Sequence, residues 1–238
     1  MCVKYYYRGN LSMKKYYFIL IMLVLLTGGG SFSVTYAQEN NIKLNGVEQI
    51  IYIIDDNTIL EEKVNCIIKS ELHHLPIKEI NEVLHKIDKS NLNMMERARL
   101  KSAVIRSLGF SNFDFKGTSS DVLAFKELNI EIIENDTPLI LYRRSKANEL
   151  ESKYGLGYWW GDKERSIEET RNELAVLEAW GNPLDTQYKI QVPTGTKILK
   201  GFTASQTHYL NGTSIVQEYR EGGAIQYWIN KVDNNWLQ

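Results

Sequence analysis

The chain is expected to adopt an α+β fold, with a helical N-terminal region followed by a mixed β-sheet region. Three observations predict it. Apolar residues repeat at helical spacing up to about residue 117. After about Asn129, β-branched and aromatic runs alternate with turn residues. Trp159, Trp160, Trp180, Trp228 and Trp236, all five tryptophans, lie in that later part.

Each element has its own signal. Ile59, Leu60, Val64, Ile67, Ile68 and Leu72 mark a first apolar stripe. Pro76 opens a second helix at a position where a missing amide proton costs little, and Ile77, Ile80, Val83, Leu84 and Ile87 supply its buried face. A third helix is predicted from Met94 to Leu108, stopped by Gly109. Ser119 or Ser120 caps a short fourth helix that runs to Phe125. Ile130, Ile132 and Ile133, then Leu139 to Tyr142, read as strands joined by the Asn135-Asp136-Thr137-Pro138 turn. Ser166-Ile167-Glu168-Glu169 is a capping box for a helix reaching Trp180, which Gly181-Asn182-Pro183 ends. Tyr188–Val192, Lys197–Gly201, Ser214–Tyr219 and Ala224–Ile229 are the remaining strands expected.

The start of the chain reads as an export signal. Met13-Lys14-Lys15 supplies a basic start, Tyr16 to Leu26 an apolar run, and Thr35-Tyr36-Ala37 a cleavage point before Gln38. The run is shorter than the ~20 residues a spanning helix needs. Residues 1–37 are therefore taken as a signal peptide and the protein as secreted, with no stable membrane insertion after cleavage. The expected organisation is 1–37 leader, 38–117 helical region and 118–238 α+β domain. Cleavage would leave Cys66 as the sole cysteine, so no internal disulfide and no cysteine-based zinc site can form. The formal net charge of -1 lacks the basic excess that drives phosphate-backbone binding, so no nucleic-acid partner is expected.

Few residues carry recognisable chemistry. There is no phosphate-binding glycine loop and no nucleophile elbow. His73, His74 and His85 lie in the helical region, where adjacent histidines diverge by about 100° and seldom share an ion. Three elements of the second region stand out. Leu141-Tyr142-Arg143-Arg144 puts two guanidinium groups at a strand end, of which one can face a cleft. Arginine suits bidentate contact with a phosphate, and two solvated arginines are the plainer reading. Gly155-Leu156-Gly157-Tyr158-Trp159-Trp160-Gly161 is expected to be a loop whose rings lie against a planar ligand or plug the core beneath. Gly222-Gly223-Ala224-Ile225-Gln226-Tyr227-Trp228 allows a close backbone approach before a strand, with Gln226 on the face opposite Ile225. An inward glutamine there could orient a ribose hydroxyl or a water.

Taken in order, these elements, the capped helix with Arg171, Trp180-Gly181-Asn182 and Val192-Pro193-Thr194-Gly195-Thr196 resemble the tuberculosis necrotizing toxin family. The resemblance covers about Leu139 to the C-terminus, and its most distinctive piece is the Gly222-Gly223-Ala224-Ile225-Gln226-Tyr227 stretch. It implies an ADP-ribosyltransferase-like fold and a toxin domain that cleaves NAD to nicotinamide and ADP-ribose. Arg143 then corresponds to an arginine on the NAD phosphates, Gln226 to the essential glutamine near the nicotinamide ribose, and Arg171 to a second arginine. Tyr158 or Trp160 corresponds to an aromatic beside the cofactor. NAD is the implied ligand, with no metal and no further cofactor, and a cognate immunity protein is the candidate macromolecular partner. The chain departs from the family at Lys189, where a histidine is usual, in the tryptophan-rich loop, and in a longer segment before Gly222 with Glu218 and Glu221. Those two carboxylates keep ADP-ribosyl transfer open as a second reading, although their spacing from Gln217 does not match the transferase pattern. A secreted ribonuclease and a catalytically inactive binding module on the same fold also stay open.

Overall fold

The computed structural model describes residues 46–55, 59–70, 72–113, 115–116, 119–151 and 155–238. The expected leader and the division at Gly117 lie outside these residues. The described residues from Gly46 to Gln238 belong to one compact unit. Among the described residues no helix is long and apolar enough to cross a membrane.

The helical half contains α1 (Gly46–Asp55), α2 (Leu60–Ile68), α3 (Ile77–Asp88) and α4 (Met94–Ser107). Helix α1 is additional to the expected set. The stripe of α3 behaves as its spacing demands: Ile80, Val83, Leu84 and Ile87 are all buried, and Pro76 sits at the N-cap. Helix α4 starts at a capping box. Asn93 accepts from the Glu96 amide at 3.0 Å, and Glu96 accepts from the Asn93 amide at 2.9 Å.

Short strands and turns join the helices to the main sheet. Phe115–Lys116 (β1) pairs with Ser119–Ser120 (β2), and Asp121–Ala124 makes a 3-10 turn. The expected short helix after Ser120 is present as a 3-10 helix that stops at Ala124, one residue before the expected end at Phe125. Phe125 is extended, and Glu127 and Leu128 follow with φ of 56° and 60°, which no right-handed helix can accommodate. The segment is held from below by Lys101. Its ammonium is fully buried, lies 2.8 Å from Asp88 Oδ2 and donates to the Leu128 carbonyl at 2.7 Å. Burial pushes this amine below its ordinary pKa, and Asp88 opposes the shift.

The main sheet is antiparallel and has six strands. These are β3 (Glu131–Glu134), β4 (Leu139–Ser145), β5 (Trp159–Gly161), β6 (Thr186–Val192), β7 (Lys197–Phe202) and β10 (Ile225–Trp228). Their spatial order is β3-β7-β10-β5-β4-β6. A separate hairpin pairs β8 (Gln206–Tyr209) with β9 (Val216–Arg220). The exposed edge of β3 is closed by a side chain. Asn81 of α3 donates to the Ile132 carbonyl and accepts from its amide, each at 2.9 Å, as a neighbouring strand would.

Strand alternation splits the sheet into two cores. Ile132, Leu199 and Trp228 face the helices and share one cluster with α1 to α4. Leu141, Trp160, Tyr188, Ile190, Val192, Ile198 and Tyr227 face the other way and build a second cluster. The helical half thus packs directly on one face of the sheet.

Two expectations are corrected here. The segment Gly155–Gly161 is a loop only in its first part, because Trp159–Gly161 is a central strand between β10 and β4. The capped helix α5 runs only from Ile167 to Glu173, with both capping-box bonds of Ser166 and Glu169 present. It does not reach Trp180, because Ala175 takes a φ of 49° and turns the apolar Ala175 and Leu177 inward. Burial of two side chains outweighs two further helical turns whose outer face would carry them into water.

Candidate functional site

The site is built from the row of residues that lie side by side across the sheet at Gln226. Gln226 pairs with Gly201 on one side and Gly161 on the other, and Gly161 continues to Tyr142 and Lys189. Directly opposed residues point to the same face, so Gln226 stands in a trough with no side chain on either flank. Each flank is filled from above. A Cβ at Gly201 would stand 2.5 Å from the Phe125 ring and from the Asn129 carbonyl oxygen. A Cβ at Gly161 would stand 2.7 Å from Arg165 Nη1. The row therefore brings an amide, an aromatic ring and a guanidinium together on one face.

Gln226 is 6% exposed, and its Nε2 donates to the Ala124 carbonyl at 2.7 Å. The same carbonyl accepts from the Ala204 amide at 2.8 Å. With Nε2 committed, Oε1 is the group available to accept from a hydroxyl or a water. The paired glycines upstream are needed for the approach to this strand. Gly222 has φ of 73°, and a Cβ there would meet the Thr203 and Ala204 carbonyl oxygens at 2.8 Å. Its amide donates to the Asn172 carbonyl, and Ala224 donates to the Glu173 carbonyl, which ties β10 to the end of α5. Beside the trough, Lys126, Glu127, Asn129, Phe202 and Gly223 line a cleft of ≈ 350 Å³.

Arg143 does not join this group. It follows Tyr142 on β4, so alternation sends it to the opposite face, alongside Trp160 and Tyr188. The expected pairing of Arg143 and Gln226 around one ligand is corrected on this ground: the two side chains leave the sheet in opposite directions. Arg143 Nη1 donates to the Trp159 carbonyl at 3.0 Å, and Nη2 is 3.8 Å from Glu149 Oε1. Nε is buried without a hydrogen-bond partner. Burial lowers the pKa of this guanidinium, while Glu149 acts to raise it. Gly157 covers the group so closely that a Cβ would stand 2.9 Å from it. Arg144 shares the face of Gln226, but it donates to the Arg165 and Leu184 carbonyls and so clamps two loops over the sheet.

The two aromatic candidates lie on opposite faces of the sheet, Tyr158 on that of Gln226 and Trp160 on that of Arg143. Tyr158 stacks on Trp228, with ring centroids 5.3 Å apart at 25°, and packs in the helix-facing core. Trp160 is fully buried on the Arg143 face and donates to the Gly157 carbonyl. The Phe125 ring, which the sequence pattern marks only as the end of a helix, lies over Gly201 beside Gln226. Arg171 closes the loop after α5 by donating to the Val176 and Asn182 carbonyls at 3.1 and 2.7 Å.

Arg165 is the residue that sequence reasoning passes over. It sits in the charged stretch Asp162-Lys163-Glu164-Arg165, which reads as solvated surface. In the fold it is 5% exposed. One signal does mark it: Ser166 begins a helix immediately after it, so the chain must turn back over Gly161 at this point.

Glu218 is fully engaged away from the sheet. It accepts from the Glu178 and Ala179 amides at 3.0 and 3.2 Å and pairs with Arg220 at 3.0 Å. Desolvation works against its charge, but the two amides and Arg220 together hold the carboxyl below its usual range.

No family model matches the chain, and no curated protein matches it. Among solved structures, one described as Tne2 in complex with Tni2 aligns with 46% of this chain and 86% of its own, at 15% identity and a TM-score of 0.33. A likeness of that size assigns neither fold nor function.

Proposed function

We propose that the β-rich half is an NAD glycohydrolase with Gln226 at the reacting end of its site. The supporting observation is the trough itself: a buried amide between two glycines, with the Phe125 ring on one flank and the Arg165 guanidinium on the other. The motif order from Leu139 to Tyr227 points to the same chemistry. Cleavage breaks the bond between the ribose and nicotinamide, whose nitrogen keeps the bonding electron pair. Water then bonds to the ribose carbon and releases a proton. The protein's work is to fix the ribose and water, and Gln226 Oε1 is placed to accept a hydrogen bond from either.

Hydrolysis is preferred to ADP-ribosyl transfer because Glu218 is tied to two backbone amides and Arg220 on the separate hairpin. Export belongs to the same proposal and rests on the Met13 to Ala37 pattern, with NAD as ligand and an immunity protein as the expected partner. Purified protein should release nicotinamide from NAD, and the activity should survive chelators. Intact NAD after prolonged incubation with folded protein would defeat the proposal. The secreted form should begin near Gln38, which N-terminal sequencing checks.

A further inference from the structure

The donors of Arg165 are divided between two carboxylates, an arrangement that Arg220 repeats at the hairpin with a side chain 25% rather than 3% exposed. Arg165 Nε lies 2.8 Å from Glu173 Oε2, and Nη2 lies 2.7 Å from Asp162 Oδ1. These two nitrogens form the edge of the guanidinium that grips a phosphate with two parallel bonds. Here each takes one oxygen from a different carboxylate. Glu173 Oε2 is also 3.4 Å from Lys163 Nζ, so one oxygen atom is shared by two cations, as a phosphate oxygen commonly is.

Burial separates the fixed part of this group from the exchangeable part. The Arg165 side chain is 3% exposed, whereas those of Asp162, Glu173 and Lys163 are 35%, 36% and 55% exposed. The third nitrogen, Nη1, donates to the Lys163 carbonyl and rests over Gly161, directly opposite Gln226. The guanidinium is thus locked in place on the Gln226 face while the carboxylates reach it from solvent. The Glu173 backbone is fixed by Ala224, so its carboxylate leaves by side-chain rotation alone.

We infer that Lys163 and Arg165 form a diphosphate-binding subsite on the Gln226 face, and that Glu173 and Asp162 are the internal anions a diphosphate displaces. The ligand class is a nucleoside diphosphate such as the ADP-ribose portion of NAD. The inference rests on the NAD reading for its ligand, but it is tested by binding.

The experiment is calorimetric titration of the whole protein with ADP-ribose and, in parallel, with adenosine, which lacks the diphosphate. Lys163→Ala and Glu173→Gln alter partly exposed side chains, Arg165→Lys is the third variant, and thermal unfolding checks that each variant is folded. Glu173→Gln should tighten ADP-ribose by about threefold to tenfold, since it removes a competing charged partner. Lys163→Ala should weaken it by about threefold or more, and Arg165→Lys by about tenfold, because a lysine cannot reproduce the two-pronged contact. Adenosine binding should be unchanged in all three. Equal ADP-ribose affinity in wild type, Lys163→Ala and Glu173→Gln overturns the subsite, as does a wild type that binds no ADP-ribose. Nicotinamide release whose KM for NAD is the same in Lys163→Ala and Glu173→Gln as in wild type overturns the subsite and leaves the NAD reading standing. Binding that follows the expected order without any nicotinamide release does the reverse.

Discussion

The two faces of the six-stranded sheet hold similar residue types in different states. On one face Arg143 lies beneath Gly157 with Trp160 and Tyr188 around it, and its donors go to Trp159 and Glu149. On the other face Arg165 lies over Gly161 with Phe125 and Gln226 in the same row, and its donors go to two carboxylates near the surface. Both guanidinium groups are mostly buried, yet only the second has partners that solvent also reaches. Each guanidinium has one backbone carbonyl partner and at least one carboxylate, but Glu149 beside Arg143 is 10% exposed, whereas Asp162 and Glu173 beside Arg165 are 35% and 36% exposed and can turn away into water. The first arrangement therefore holds the sheet together, and the second is suited to exchange one anion for another.

The largest expected effect on this comparison comes from Gln226→Ala. Turnover of NAD should fall by about tenfold to a thousandfold with little change in KM, as when one positioned group is removed from a reacting centre. The fold should survive, because the Ala124 carbonyl keeps the Ala204 amide. Steady-state kinetics of nicotinamide release provide the check. Unchanged turnover, with a collapse in Glu218→Ala or Glu221→Ala, would move the chemistry to the hairpin and restore the transferase reading.

Next in size is Gly201→Ala. The new methyl group would meet a backbone carbonyl and a packed ring at 2.5 Å, so thermal unfolding should show a loss of about 1–3 kcal/mol. A stable Gly201→Ala protein would mean that Phe125 does not sit on this flank of Gln226.

Arg143→Ala and Arg144→Ala sharpen the contrast between faces. Arg143→Ala leaves the Trp159 carbonyl and Glu149 short of a donor and should cost about 1–3 kcal/mol of stability, with NAD affinity unchanged. Weakened NAD binding in Arg143→Ala, with stability intact, would assign the ligand to the opposite face. Arg144→Ala should loosen the loops at Arg165 and Leu184 and so raise KM, because it disturbs the backbone that carries Arg165.

The smallest effect concerns acid. The folded pKa of Glu218 is lowered from 4.5, so its contribution is complete above that value and is lost as pH falls through the folded pKa. Below about pH 4.5 the β8–β9 hairpin should exchange its amide protons faster. Glu218→Gln should remove that pH dependence, and hydrogen exchange at Val216 to Arg220 is the measurement.

Local pattern in the chain was enough for α2 to α4 and most strands, but it did not mark α1 and overran the end of α5. The stripe of α3, the turn after β3, the Ser166 capping box and the strands around Tyr188, Lys197 and Ile225 lie where their periodicity and caps place them. These features depend on contacts within a few residues, so sequence carries them. The sequence also marked Gln226 and its paired glycines as distinctive. Tertiary structure alone decided the company Gln226 keeps. Trp159–Gly161 becomes a strand only because β10 and β4 lie on either side of it, and its register makes Gly161 the neighbour of Gln226. Sheet alternation then sends Arg143 to the far face. A turn of two positive-φ residues lays Phe125 on Gly201, and the chain reversal before Ser166 brings Arg165 over Gly161. Residues more than 60 positions apart, such as Gln226 and the Gly161 that carries Arg165 above it, become neighbours through strand register. A register shift of one residue would exchange every partner, and no single local signal encodes it.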